Sequence, residues 1–186
     1  MKSFRNLLPL IFLMALSACA EKIWAPDEAV AKAHYSSKEP PSVTLVTVIN
    51  NRDGGGGHSA ILINASERVV FDPAGNWKSK YAPERNDFVY GMSPAVLKSY
   101  YGFHARKAWH VVIQKKIVSP EIAAMVYQSA KNYGAVPSAF CSNSVTTILR
   151  TIPGFESIPH SLLPKKTMQA FAKLPNVTTE KIYEYD

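Results

Sequence analysis

The chain has 186 residues, 47% of them hydrophobic and 19% charged, with two cysteines and a formal charge of +7. That balance suits one globular domain with a real core and excludes a disordered chain or a disulfide scaffold. No compact basic run interleaved with aromatic residues occurs, so the charge reads as a solvated surface and no nucleic-acid partner is expected.

Residues 1–18 open with Lys2 and Arg5 and continue as an apolar run, Leu7 to Leu16, broken only by Pro9. The run is too short for a stable membrane span and predicts a secretory signal. Leu16-Ser17-Ala18-Cys19 resembles the bacterial lipoprotein box. The resemblance implies a diacylglyceryl thioether on Cys19 as the first mature residue, and several acyl chains, palmitate among them, anchor stably in a bilayer. Ala20 follows the cysteine where an aspartate would signal retention, so the expected destination is the outer membrane, facing the periplasm. Removing residues 1–18 leaves 168 residues and, without Lys2 and Arg5, lowers the charge from +7 to +5. Lipidation of Cys19 also leaves Cys141 with no disulfide partner in an oxidising compartment, which points to a reactive thiol.

Residues 19–42 read as a lipidated cysteine and tether, with one or two helical turns over Asp27 to Tyr35 before Pro40-Pro41 breaks the chain. A single domain is expected over 43–186. Ser42 to Asn50 is rich in β-branched residues and predicts a strand. The glycine-rich loop Asn51 to Gly57 leads into a second strand, His58 to Ile63, and Arg68 to Asp72 is a third, pairing with it as an antiparallel hairpin. Lys78 to Met92 reads as a surface excursion. Ser93-Pro94 opens a helix to about Tyr101, Trp109 to Val118 is a strand, and Ser119-Pro120 opens a helix closed by Gly134. Val145, Ile148 and Leu149 recur at one-face spacing after Cys141, Pro164 starts a helix through about Leu174, and Val177 to Tyr185 is an edge strand. Strands mostly early and helices mostly late give an α+β arrangement.

Cys141 falls at the start of its helix, where unpaired backbone N–H groups and the macrodipole favour a thiolate. A nucleophilic thiol needs a base and a group to orient that base. Of His34, His58, His104, His110 and His160, His58 is best placed, where the glycine-rich loop enters a strand. Asp72 ends the neighbouring strand and should stand beside it, as in a triad. His110 lies inside a strand-forming run and reads as packed in the sheet. No close metal-ligand spacing joins His58 and Asp72 to His104 or His110, so neither metal nor other cofactor is expected.

Phe140-Cys141-Ser142 opening a helix, Gly57-His58-Ser59-Ala60 opening a strand and Phe71-Asp72 on the next resemble the NlpC-type branch of papain-like cysteine peptidases. The order His58, Asp72, Cys141 resembles its circularly permuted branch, in which bacterial lipoproteins and relatives of lecithin retinol acyltransferase occur. The resemblance spans roughly Val43 to Arg150. It implies a small antiparallel sheet packed against helices, a catalytic Cys141, His58 and Asp72, an oxyanion site from the backbone at Cys141 and Ser142, and Tyr133 as a side chain that could join it. Asn143 stands where the cell-wall peptidases carry a glycine. The expected activity is hydrolysis of cell-wall peptide amides by acyl transfer through a thiol. Thioester or lipid acyl transfer, and an inactive ligand-binding lipoprotein, are the other readings.

Overall fold

A computed structural model describes residues 22–184, so the expected signal segment and Cys19 lie outside the described residues. The fold is mixed α+β: one antiparallel sheet of seven strands and five helices among the described residues. Helix α1 (Asp27–Ala33) precedes strands β1 (Ser42–Asn50), β2 (Gly56–Asn64), β3 (Arg68–Phe71), β4 (Glu84–Arg85) and β5 (Phe88–Val89). Helix α2 (Pro94–His104), β6 (Trp109–Ile117), α3 (Pro120–Lys131), α4 (Cys141–Leu149), α5 (Pro164–Phe171) and β7 (Val177–Tyr183) follow. In space the strands run β4-β5-β3-β2-β1-β6-β7.

Strand β1 lies inside the sheet, paired with β2 over Ser42 to Ile49 and with β6 along its whole length. Its apolar run is continuous because both faces of the sheet are covered. On one face Val43, Leu45, Ile61, Ile63 and Phe71 meet Val126 of α3, Val145 and Leu149 of α4 and Phe171 of α5. On the other, Val46, Ala60, Leu62, Val70 and Val111 meet Tyr100 of α2, Met92 and Trp77. Each fully buried aliphatic side chain contributes about 1.5–3 kcal/mol of transfer free energy, so α4 is held by its Val145–Leu149 face, since Phe140 gives it no side-chain cap. Helices α2 and α3 start where Ser-Pro predicts, with Ser93 and Ser119 accepting from the N–H groups of Val96 and Ile122.

Two expectations are corrected. Residues 22–41 do not trail as a tether: Ala25 N–H donates to the Glu84 carbonyl at 3.0 Å, Arg68 N–H donates to the Tyr35 carbonyl at 2.8 Å, and Val30 packs on the core. Residues 78–92 are no surface excursion: Ala82, Phe88, Val89, Tyr90 and Met92 are buried, and β4 and β5 close the sheet edge. The turn joining them is Asn86-Asp87, both at positive φ (49° and 66°), which is the conformation a tight hairpin of right-twisted strands requires.

Candidate active site

The β2–β3 ladder runs from Asn64 opposite Arg68 to Ile61 opposite Phe71 and stops there. The start of β2 is therefore unpaired by β3, and α4 begins against this stretch. Asp72, one step past Phe71, stands level with Ala60. His58 shares Ala60's face, so His58 and Asp72 are diagonal neighbours on one side of the sheet. Between Val48 and Ile49 the register with β2 shifts, leaving an extra residue at Gly57, a bulge that re-aims the side chain after it. The Trp109 ring lies so close to Gly57 that a Cβ there would sit 2.6 Å from it.

His58 Nε2 and Asp72 Oδ1 are 2.7 Å apart, and the Tyr100 hydroxyl donates to the same oxygen at 2.7 Å. With Nε2 engaged, the ring's other nitrogen is left for the Cys141 thiol, with which His58 shares a hydrogen bond. The group is nearly dry: Asp72 is 3% exposed, Tyr100 0% and Cys141 8%. A second imidazole, His104, stacks on His58 with centroids 5.6 Å apart and planes within 16°. Tyr100 and His104 sit at i and i+4 on α2, so one helical face supplies both the hydroxyl on Asp72 and the wall behind His58.

The first bond of α4 is Ser144 N–H to the Phe140 carbonyl at 3.0 Å, so the N–H groups of Cys141, Ser142 and Asn143 have no acceptor within the helix. Those of Ser142 and Ser59 are turned on the Cys141 sulfur. Ala139 enters this turn at φ 69°, a left-handed conformation that costs a non-glycine residue on the order of 1 kcal/mol. Ser142 Oγ bonds Thr167 Oγ1 of α5 at 2.7 Å, fixing the helix start from behind.

Burial of the thiol disfavours its charge, but the His58 hydrogen bond and charge, with the two backbone N–H groups, outweigh that and hold the Cys141 pKa below the ordinary thiol value. Burial likewise disfavours the imidazolium, yet Asp72 and the bond to Cys141 carry His58 up to about 10. Burial is the largest single influence on Asp72 and pushes it up, but His58, His104 and the Tyr100 hydroxyl together bring it below the ordinary carboxylate value. His104, buried and beside a cationic ring, is lowered to about 4 and stays neutral. Both shifts favour charge on the pair, a thiolate facing an imidazolium backed by a carboxylate.

Residues that sequence reasoning did not assign hold the arrangement together. Asp87, buried in the β4–β5 turn, accepts from Ala74 N–H at 3.1 Å and Val136 N–H at 2.7 Å, tying the loop after Asp72 to the loop before Cys141. Gly75 lies under the Asp72 carboxylate, where a Cβ would come within 1.9 Å of Oδ2. Tyr133 does not join the hydrogen-bonded group; it packs edge-on against Phe71 at 5.6 Å. Tyr133 lies in the loop after α3, whereas Tyr100 lies inside the helix predicted from Ser93-Pro94 and drew no assignment of its own. His110 is packed in the sheet, bonded to Asn51 Oδ1 at 2.7 Å and stacked on Tyr183. His34 pairs with Glu67 at 3.3 Å, away from the thiol. Among the described residues no three His, Cys, Asp or Glu side chains are arranged to hold a metal ion.

Compared with family models, curated proteins and solved structures, the chain finds no match in any of the three.

Proposed function

We propose that the protein is a cell-envelope lipoprotein, anchored through Cys19, whose domain is a permuted papain-like, NlpC-like cysteine hydrolase acting on amide bonds of cell-wall peptides. The observation that carries this reading is the unbroken series Cys141, His58, Asp72, Tyr100, in which the thiol is lowered and the imidazole raised. The order of the chain, with the histidine strand ahead of the cysteine helix, supports the permuted arrangement.

In the first half-reaction the Cys141 thiolate attacks the carbonyl carbon and a C–S bond forms. The oxyanion faces the N–H groups that open α4, dipoles already aligned before the charge develops. The His58 imidazolium gives its proton to the departing amine, the C–N bond breaks, and an acyl thioester remains. Neutral His58 then takes a proton from water, whose oxygen attacks the thioester. The carboxylic acid leaves and the thiolate–imidazolium pair is restored. Asp72 keeps the ring oriented and its charge compensated throughout.

A second reading, transfer of an acyl group to an acceptor other than water, is favoured by Phe140, which is 45% exposed immediately before the nucleophile and offers an apolar surface to a chain. The test is incubation of purified protein with peptide amides and with acyl esters, followed by mass analysis of Cys141. A covalent acyl adduct on Cys141 with one donor class, absent in Cys141→Ser, assigns the chemistry. No adduct with any donor leaves a ligand-binding lipoprotein. Anchoring is tested apart: Cys19→Ser should lose lipid labelling and no longer fractionate with the outer membrane.

A further inference from the structure

Three segments meet at the end of the molecule that bears His58. The loop at 50–57 bonds the segment at 105–109 through Asn51, whose side-chain Nδ2 donates to the Lys107 carbonyl at 3.0 Å and whose N–H donates to the Ala108 carbonyl at 2.9 Å. The same loop runs against the entry to α5: Gly56 faces the backbone of Pro164 and Lys165, and Gly54 faces the Lys165 ammonium. These segments carry five exposed cations, Arg52, Arg106, Lys107, Lys165 and Lys166, and one acid, Asp53, itself 3.8 Å from Arg52.

The same end holds two adjacent leucines out in solvent, Leu162 at 55% exposure and Leu163 at 52%. They are fixed there. Leu163 N–H donates to Ser161 Oγ at 3.0 Å, Ser161 N–H donates to Thr146 Oγ1 at 3.3 Å, and Pro164 locks the next step as the first residue of α5. The turn therefore cannot fold the leucines back onto the core. Trp109, half-buried against Gly57, is the aromatic neighbour in this group.

We infer that this end docks on an anionic bilayer surface, with Leu162 and Leu163 entering the interface and Lys165, Lys166, Arg52 and Lys107 over the headgroups. Paired exposed aliphatics beside a cluster of cations match that surface on both counts. A hydrophilic anionic polymer would satisfy the lysines and leave the leucines in water. The docked face lies beside His58, so the thiol would work on molecules at the bilayer surface, although the docking itself rests on the surface features and not on the chemistry at Cys141.

The test is hydroxyl-radical footprinting of the full chain reconstituted in phosphatidylcholine vesicles and in mixed phosphatidylcholine–phosphatidylglycerol vesicles. Oxidation of Leu162 and Leu163 should fall only in the mixed vesicles and return at high salt, while Met125, exposed on α3, stays equally oxidised. Each of Lys165→Ala and Lys166→Ala should lower the docked-to-free ratio by roughly fivefold. Equal oxidation in both vesicles overturns the inference, as does protection in phosphatidylcholine alone. Protection without lipid that grows with protein concentration assigns the face to a second copy and also overturns it. Iodoacetamide alkylation of Cys141 separates the two ideas: an inert thiol with protected leucines keeps the docking and removes the enzyme.

Discussion

Replacing Asp72 by asparagine isolates the carboxylate's charge from its shape. The amide oxygen can still accept from His58 Nε2 and from the Tyr100 hydroxyl, and the side chain keeps its volume against Gly75. Only the charge facing the imidazolium is lost. The distance between the ordinary imidazole value of 6.5 and about 10 corresponds to about 5 kcal/mol favouring the charged ring. Asp72 is the largest favourable contributor, so losing half of that preference lowers the thiolate–imidazolium population roughly 50-fold. Burial then dominates both groups, and it disfavours charge on each. The assay is the rate of iodoacetamide alkylation of Cys141 against pH. Wild-type protein should react in mild acid; Asp72→Asn should react only on the alkaline side, near or above the free-thiol value of about 8.5. His58→Ala, which removes the ring, should lie still further to the alkaline side. Superimposed wild-type and Asp72→Asn profiles would show that the ring is charged without the carboxylate, and the reasoning fails.

Tyr100→Phe removes a hydrogen bond to a buried charge and should cost about 1.5–3 kcal/mol of stability by denaturant unfolding, with a smaller alkaline displacement of the alkylation profile than Asp72→Asn. Gly75→Ala must displace the Asp72 carboxylate, so labelling of Cys141 should collapse in protein that circular dichroism still finds folded. In Cys141→Ser the pH dependence of Tm above neutrality reports the imidazole without the thiol. His58 stays raised by Asp72, so its contribution is complete below 6.5 and is lost as pH climbs through its folded value, which is lower than with the thiol present. Wild-type thiolate formation runs in the opposite direction below 9.0, so the variant's Tm should fall more steeply across that range. Asp72 is depressed, so in both proteins stability is present above 3.8 and is lost as pH falls through its lower folded value.

The hairpin carrying His58 and Asp72 was readable because period-two patterns fix which residues share a face, and Val69, Val70 and Phe71 mark β3 clearly. Cys141 was readable because Val145, Ile148 and Leu149 set the helix that it opens. Tyr100 and His104 were not, because their i, i+4 spacing on α2 also describes an ordinary buried stripe, and nothing local says that the sheet opposite offers a carboxylate. Asp87 lay beyond reach for another reason. Two-residue strands such as β4 and β5 leave no periodicity, and the partners of Asp87 are backbone N–H groups, which every sequence possesses. The docking of residues 22–41 was hidden likewise, since it rests largely on main-chain bonds to Glu84, Asn86 and Arg68. The family likeness rests on three short motifs, and the seven-stranded sheet is larger than the small one they implied.

The Asp87 clamp bears on the order in which the chain becomes dangerous. His58, Asp72, Asp87 and Tyr100 all precede Cys141 in the chain, and the bond from Val136 N–H to Asp87 helps to hold the loop that delivers the thiol to its base. A chain still unfolded, or still crossing a membrane, carries an ordinary sulfhydryl that is mostly protonated at neutral pH and slow to oxidise or to be acylated. The charged pair depends on His58, Asp72 and the start of α4 being brought together, so any opening of the fold that separates them returns the thiol to its ordinary value.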